Sequence, residues 1–148
     1  MKRFSALLSL CLLTSLSSLA QPKPDPMQPI HQFFKGMATS DTALMRSTLH
    51  SLARFQTIRR NGQVGEENIN SFLQQIASTK PGELDERLGT ATVAADSPLA
   101  QVSTPYEFHY KGQYSHGGVN FFTLAMEGGQ YRILYVVDTR RPGYRLQQ

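Results

Sequence analysis

The order of the periodic segments constrains this chain most, because three short helix-like segments precede four long strand-like runs. Short turns rich in glycine and proline separate the runs, and strands joined so tightly must be antiparallel. We therefore predict an α+β fold in which three N-terminal helices pack on a curved antiparallel sheet, forming a cone-shaped roll around a pocket. The four runs span residues 83–96, 99–111, 113–127 and 130–140.

The helix-like segments carry apolar residues at the spacing i, i+3, i+4, i+7, which lines one face of a helix. Ser40 and Asp41 are suitable N-cap residues for the second of them. Residues 54–64 predict a short hairpin around Asn61-Gly62, and Glu66 and Glu67 then predict the first turn of the third helix. The stripes of the first and third helices are Ile30, Phe33, Phe34 and Met37, and Ile69, Phe72, Leu73 and Ile76.

The N-terminus predicts export. Lys2 and Arg3 precede an apolar stretch, and small residues before Gln21 favour signal cleavage after Ala20. A membrane anchor is the alternative, but the stretch is shorter than the roughly 20 residues that span a bilayer. We expect a periplasmic or secreted protein without a stable membrane anchor once the signal is removed. The predicted organisation is a signal peptide at 1–20, a proline-rich linker at 21–29, a domain at 30–141 and a tail at 142–148.

Composition argues against several functional classes. The formal charge of +4 includes Lys2 and Arg3, so the mature chain carries only +2, and no basic stripe predicts nucleic-acid binding. The single cysteine, Cys11, lies in the signal segment. The four histidines lack metal-ligand spacing, so neither a metal nor another cofactor is expected.

The third long strand carries apolar residues on both faces. Val119 and Phe121 alternate with Phe122 and Leu124. A sheet with helices on one side needs only one apolar face, so the second face must also be covered. We favour a homodimer formed through the sheet, with an enclosed ligand or another protein as the alternatives.

Together with the element order, four local segments carry a family resemblance: residues 49–55, 104–108, 115–119 and 138–141. The chain resembles the nuclear transport factor 2-like superfamily over about residues 29–141, and within it the SnoaL-like and lumazine-binding-like branch of uncharacterised exported proteins. The resemblance implies a cystatin-like roll, whereas activity varies widely among proteins of this fold.

The chain departs from this resemblance where chemistry would begin. Ser51-Leu52 stand where relatives commonly carry Pro-Asp, and residues 54–60 contain no acid. Ketosteroid isomerase-like members take their base from that strand, so the usual route for proton abstraction lacks its base. We therefore expect a binding protein for a small, partly apolar molecule. A cofactor-independent lyase or isomerase and a protein-interaction module remain the alternatives.

Polar residues of the long strands are the candidates for acid–base chemistry. Glu107 and His109 share one face of their strand by alternation, and they would point into the cone if that face is concave. The other interpretation is a solvated cross-strand pair. His116 precedes Gly117-Gly118, where a bulge or close approach would aim it into a site. Asp138 lies near the end of the last strand, as a catalytic group or an ion-pair partner.

We thus take His116, Glu107 and Asp138 as catalytic candidates. His31 and His50 are weaker, and His50 is expected to cap the second helix. Ligand contacts are expected from the apolar helix faces and two polar strand residues, although such stripes also serve as plain core. These ligand-binding candidates are Phe33, Phe34, Met37, Arg54, Phe72 and His109.

Overall fold

The computed structural model describes residues 23–147, and the predicted signal peptide lies outside them. Three helices and seven strands follow one another in the described chain. The helices are α1 (Met27–Thr39), α2 (Thr42–Ser47) and α3 (Ile69–Ala77). The strands are β1 (Leu49–Ile58), β2 (Val64–Glu67), β3 (Leu84–Leu88), β4 (Thr92–Asp96), β5 (Leu99–Tyr110), β6 (Gln113–Glu127) and β7 (Gln130–Thr139).

The strands form one curved, unclosed sheet in the order β2-β1-β7-β6-β5-β3, with β4 also paired to β5. The predicted antiparallel pairing of the long strands is confirmed. One pair differs, because β1 runs parallel to β7 and makes the sheet mixed. No tight turn joins these two strands, so their pairing had no local sequence signal. The predicted α+β cone with helices packed on a curved sheet is confirmed.

The core lies between the helices and the inner face of the sheet. Ile30, Phe33 and Met37 of α1 are at most 4% exposed, and Leu73 and Ile76 of α3 are also buried. The predicted helical stripes therefore face the sheet. Met45 of α2 also belongs to this cluster. The sheet contributes the other buried apolar residues, including Phe55, Ala100, Val102, Phe122, Leu124 and Ile133.

Three boundaries differ from the sequence prediction. The predicted strand 83–96 is split into β3 and β4, which pair with successive parts of β5. Glu66 and Glu67 belong to β2, because the hairpin extends until Phe55 pairs with Glu67. Asn68 caps α3 instead, its side chain accepting a hydrogen bond from the Ser71 amide. Finally, β1 begins early enough to include His50, which therefore does not cap α2.

The outer face of the sheet keeps apolar residues at its surface. Phe121 of β6 is 51% exposed and Leu52 of β1 is 72% exposed. At one end of this face, the tail that follows β7 folds back across β5 and β6. None of the helices within residues 23–147 has both the length and the hydropathy of a membrane-spanning helix.

Candidate functional site

A cavity of about 290 Å³ opens between the helices and the inner face of the sheet. One wall is apolar and mostly aromatic. Its side chains come from α1, α3 and the central strands, so they are supplied by the same stripes that form the core. They include Phe33, Phe34, Met37, Phe55, Phe72, Phe108 and Phe122.

The aromatic rings pack against one another as well as lining the cavity. Phe33 meets Phe55 edge-on at 5.6 Å between ring centroids and stacks on Phe72 at 6.4 Å. Phe34 meets Phe122 edge-on at 6.1 Å. Because such contacts favour defined ring orientations, the wall is a preorganised surface for an apolar ligand.

Polar side chains gather at one part of the cavity, and we call them the polar cluster: Glu86, Tyr106, His116, Asn120, Asp138 and Arg140. Asp138 is its hub. Thr57 Oγ1 donates to Asp138 Oδ1 at 2.5 Å, and Arg140 Nε donates to Oδ2 at 3.0 Å. The Tyr106 hydroxyl lies 3.1 Å from Oδ2 and also 3.1 Å from the Thr139 carbonyl oxygen. Three neighbours thus stabilise one carboxylate.

Glu86 is the second carboxyl group of the cluster. Its Oε1 accepts a hydrogen bond of 2.7 Å from Asn120 Nδ2. Burial disfavours the charged form, and the nearby charge of Asp138 adds to this effect, although the Asn120 bond opposes it. Together they raise the pKa of Glu86 to about 8. At neutral pH the cavity therefore holds a largely protonated carboxyl group beside a hydrogen-bonded carboxylate.

His116 enters the cavity from β6. Its ring centroid lies 5.2 Å from that of Phe108, and its Nδ1 lies 3.0 Å from Ser115 Oγ. Burial, reinforced by the charge of Arg140, holds the pKa of His116 below its ordinary value. The imidazole is consequently neutral near pH 7. The following residue must be glycine, because a Cβ on Gly117 would lie 2.6 Å from the Tyr106 carbonyl oxygen.

Several groups of the polar cluster have no hydrogen-bond partner within residues 23–147. They are the second oxygen of Glu86, the Asn120 oxygen, His116 Nε2 and the terminal amino groups of Arg140. The Arg140 side chain is 54% exposed, which places it where the cavity meets solvent. The cluster therefore offers both donors and acceptors to a molecule that enters the cavity.

The structure places six of the predicted site residues around the cavity. His116 and Asp138 belong to the polar cluster, and Phe33, Phe34, Met37 and Phe72 belong to the apolar wall. These positions agree with the expected locations, and their roles stay predictions.

Three predicted site residues lie elsewhere. Glu107 and His109 occupy the outer face of β5, since Tyr106 and Phe108 take the inward positions of that strand. Glu107 Oε1 accepts from the Leu146 amide at 2.8 Å, and Glu107 Oε2 lies 3.8 Å from His109 Nε2. The expectation that this pair points into the cone is wrong. Arg54 also faces outward, where it pairs with Glu66 at 2.9 Å.

Sequence reasoning did not select Glu86, Tyr106 or Asn120 for the site. Alternation does group Tyr106 with Phe108 and Asn120 with Phe122, so an apolar neighbour two residues away was the available signal. The weaker candidates lie outside the cavity: His31 is exposed on α1, and His50 lies 3.9 Å from Glu127.

Among residues 23–147, no group of three or more histidine, cysteine or acidic side chains is arranged to hold a metal ion.

Comparisons with known proteins identify the fold. No family model matches the chain, and no curated protein matches it in sequence. Solved structures do match. A protein of unknown function with a cystatin-like fold from Nostoc punctiforme superposes with a TM-score of 0.63 at 11% identity, over 79% of this chain and 89% of that one.

Two further structures agree. An NTF2-like protein of unknown function from Silicibacter pomeroyi has a TM-score of 0.61 at 16% identity, covering 78% of this chain and 92% of that chain. A candidate dehydratase of the NTF2-like family from Streptomyces avermitilis has a TM-score of 0.61 at 12% identity, covering 77% and 91%. At these identities the likeness concerns the fold. This chain has the nuclear transport factor 2-like, cystatin-like fold.

Proposed function

We propose that this protein is exported and binds a small, partly apolar, uncharged molecule in the cavity. The observation that supports this proposal most is that one cavity combines an aromatic wall with a polar cluster whose donors and acceptors are partly without hydrogen-bond partners among residues 23–147. The volume of about 290 Å³ lies at the small end of ligand pockets. Export rests on the signal-like segment 1–20.

The charges of the polar cluster favour an uncharged ligand. Arg140 and Asp138 compensate each other, and Glu86 is mostly protonated at neutral pH. An anion beside Asp138 would add an uncompensated negative charge, which is costly away from bulk water. A cation would require Glu86 to release its proton. A neutral group such as a carbonyl adds no charge and leaves Glu86 protonated. Its oxygen can accept a hydrogen bond from the protonated Glu86 carboxyl group.

Three naphthalene derivatives test this proposal: the methyl ketone, the carboxylate and the aminomethyl compound. Titration calorimetry at pH 7 should show the ketone binding about tenfold or more tightly than the carboxylate. Val136→Trp, which fills the cavity from β7, should abolish ketone binding, whereas Phe121→Trp on the outer face should not. Equal affinity of Val136→Trp, or preference for either charged probe, would contradict the proposal.

A lyase or isomerase is the second candidate. The supporting observation is that neutral His116 and protonated Glu86 line one cavity, which would supply a base and an acid for proton transfer next to a carbonyl group. In deuterated buffer, an enzyme of this kind would accelerate exchange of the methyl protons of the naphthyl ketone. His116→Ala should then remove the acceleration, by about a hundredfold or more, without changing the melting temperature. If the wild-type protein does not accelerate this exchange, the enzyme hypothesis is rejected and the binding function remains.

We further propose that two copies associate through the outer face of the sheet. Phe121 supports this, since a half-exposed phenyl ring on a sheet gains from being covered. Phe121→Asp should shift the sedimentation coefficient from dimer to monomer, whereas Lys35→Asp on α1 should not. A wild-type monomer at high concentration would exclude the homodimer and favour an outer face that binds a different protein.

A further inference from the structure

The tail that follows β7, residues 141–147, docks on the outer face through specific contacts. Its backbone first pairs with β6. The Arg141 amide donates to the Gly117 carbonyl oxygen at 2.8 Å, and the Gly117 amide donates to the Arg141 carbonyl oxygen at 3.3 Å. Tyr114 Oη then donates to the backbone carbonyl oxygen of Tyr144 at 2.6 Å. Farther on, the Leu146 amide donates to Glu107 Oε1 at 2.8 Å.

Glycines open the surface on which the tail lies. A Cβ on Gly89 would lie 2.9 Å from Leu146 Cδ2, and a Cβ on Gly117 would lie 2.8 Å from Tyr144 Cδ1. Tyr144 and Leu146 are both partly buried, two residues apart, so one side of the tail faces the sheet. Between the two glycines stands Glu107, whose side chain is only 14% exposed. Sheet and tail therefore match in shape as well as in hydrogen bonding.

This docking is connected to the cavity through the backbone. Arg140, at the rim of the cavity, immediately precedes Arg141, and His116 immediately precedes Gly117. The two-way hydrogen bonding between Arg141 and Gly117 thus holds the chain next to both cavity residues. If the tail detached, Arg140 would be the first cavity residue to become more mobile, because no strand residue follows it.

We propose that Glu107 and the tail 141–147 form a positioning device that holds Arg140 and His116 in the polar cluster from the opposite face of the sheet. Glu107 contributes as an acceptor for the Leu146 amide. This role needs an oxygen and no proton transfer, so it differs from the catalytic role predicted for Glu107 from sequence.

Three variants separate these roles: Glu107→Gln, Glu107→Ala and Leu146→Ser. Glutamine retains a carbonyl oxygen that can accept from the Leu146 amide, whereas alanine does not. Leu146→Ser changes only a partly buried tail residue and leaves the sheet intact. It therefore keeps the test valid should Glu107→Ala fail to fold.

Two measurements on the ligand-free protein report the result. Amide exchange at Arg141 and Gly117 should rise by about tenfold or more in Glu107→Ala and Leu146→Ser, with exchange in β1 unchanged. The pKa of the His116 imidazole, measured by NMR titration, should move upward as the charge of Arg140 moves away. Glu107→Gln should behave as wild type in both.

Unchanged exchange in both Glu107→Ala and Leu146→Ser would overturn the docking. Faster exchange with an unmoved His116 titration would overturn the positioning role. A Glu107→Gln variant that behaves like Glu107→Ala would show that the charge of Glu107, and not its acceptor oxygen, is what matters. Because no ligand is used, these outcomes are independent of the proposed binding function.

Discussion

Replacing Glu86 by glutamine is expected to stabilise the protein at alkaline pH. The pKa of Glu86 is about 8 in the folded protein against an ordinary value of 4.5. Between these values the unfolded chain has lost a proton that the folded protein retains. The free energy of unfolding therefore falls as pH rises from 4.5 to 8, and the loss is complete above the folded pKa.

Glu86→Gln removes this cost while its amide oxygen can still accept from Asn120. The gain should approach about 5 kcal/mol above pH 8, since each pKa unit corresponds to about 1.4 kcal/mol. Denaturant unfolding across pH 4 to 9 measures it as the difference from wild type. Asp85→Asn is the matched control, because Asp85 lies on the same strand and pairs with Arg87 at the surface. A Glu86→Gln variant with the wild-type pH dependence would show that Glu86 is ionised at neutral pH.

Removing the hub of the polar cluster should have the largest destabilising effect. In Asp138→Ala, the Thr57 hydroxyl and the Arg140 guanidinium lose their acceptor, whereas the Tyr106 hydroxyl keeps the Thr139 carbonyl oxygen. Hydrogen bonds to a charged group contribute roughly 1.5–3 kcal/mol each. Since Arg140 can turn to solvent, we expect a loss of about 3 kcal/mol in the free energy of unfolding.

The same variant should also alter the titration of Glu86. The charge of Asp138 is one of the causes that raise the pKa of Glu86, so its removal should lower that pKa. The fall in stability with rising pH should accordingly end at a lower pH than in wild type. Asp85→Ala serves as the control and should cost less than about 1 kcal/mol, as expected for an exposed ion pair. Equal losses in the two variants would contradict a hub role for Asp138.

The architecture was accessible from sequence because its elements are local patterns. Helical stripes such as Ile30, Phe33 and Met37 have one consistent period, and the long strands are joined by short turns. The parallel pairing of β1 with β7 has no such signal, since the two strands are far apart in the chain. Likewise, the division of residues 83–96 depends on how β5 pairs with each half.

The site was only partly accessible for a different reason. Alternation separates Glu107 from Tyr106 but does not say which of them faces the helices, because that depends on the side of the sheet on which α1 packs. The tail lies on the face of the sheet that has the more polar sequence pattern, whereas the polar cluster lies on the more apolar face. Glu86 could be assigned to the site only from the structure, in which its strand places it beside Asn120.

Diffraction from crystals soaked with the three naphthalene probes tests the central claim most directly, because it shows where each probe binds. We expect electron density for the methyl ketone inside the cavity, its ring against Phe34 and Phe122 and its oxygen within hydrogen-bonding distance of Glu86 or Asn120. The carboxylate should be absent from that position. An empty cavity with probes bound only on the outer face, or the carboxylate bound beside Asp138, would contradict the account.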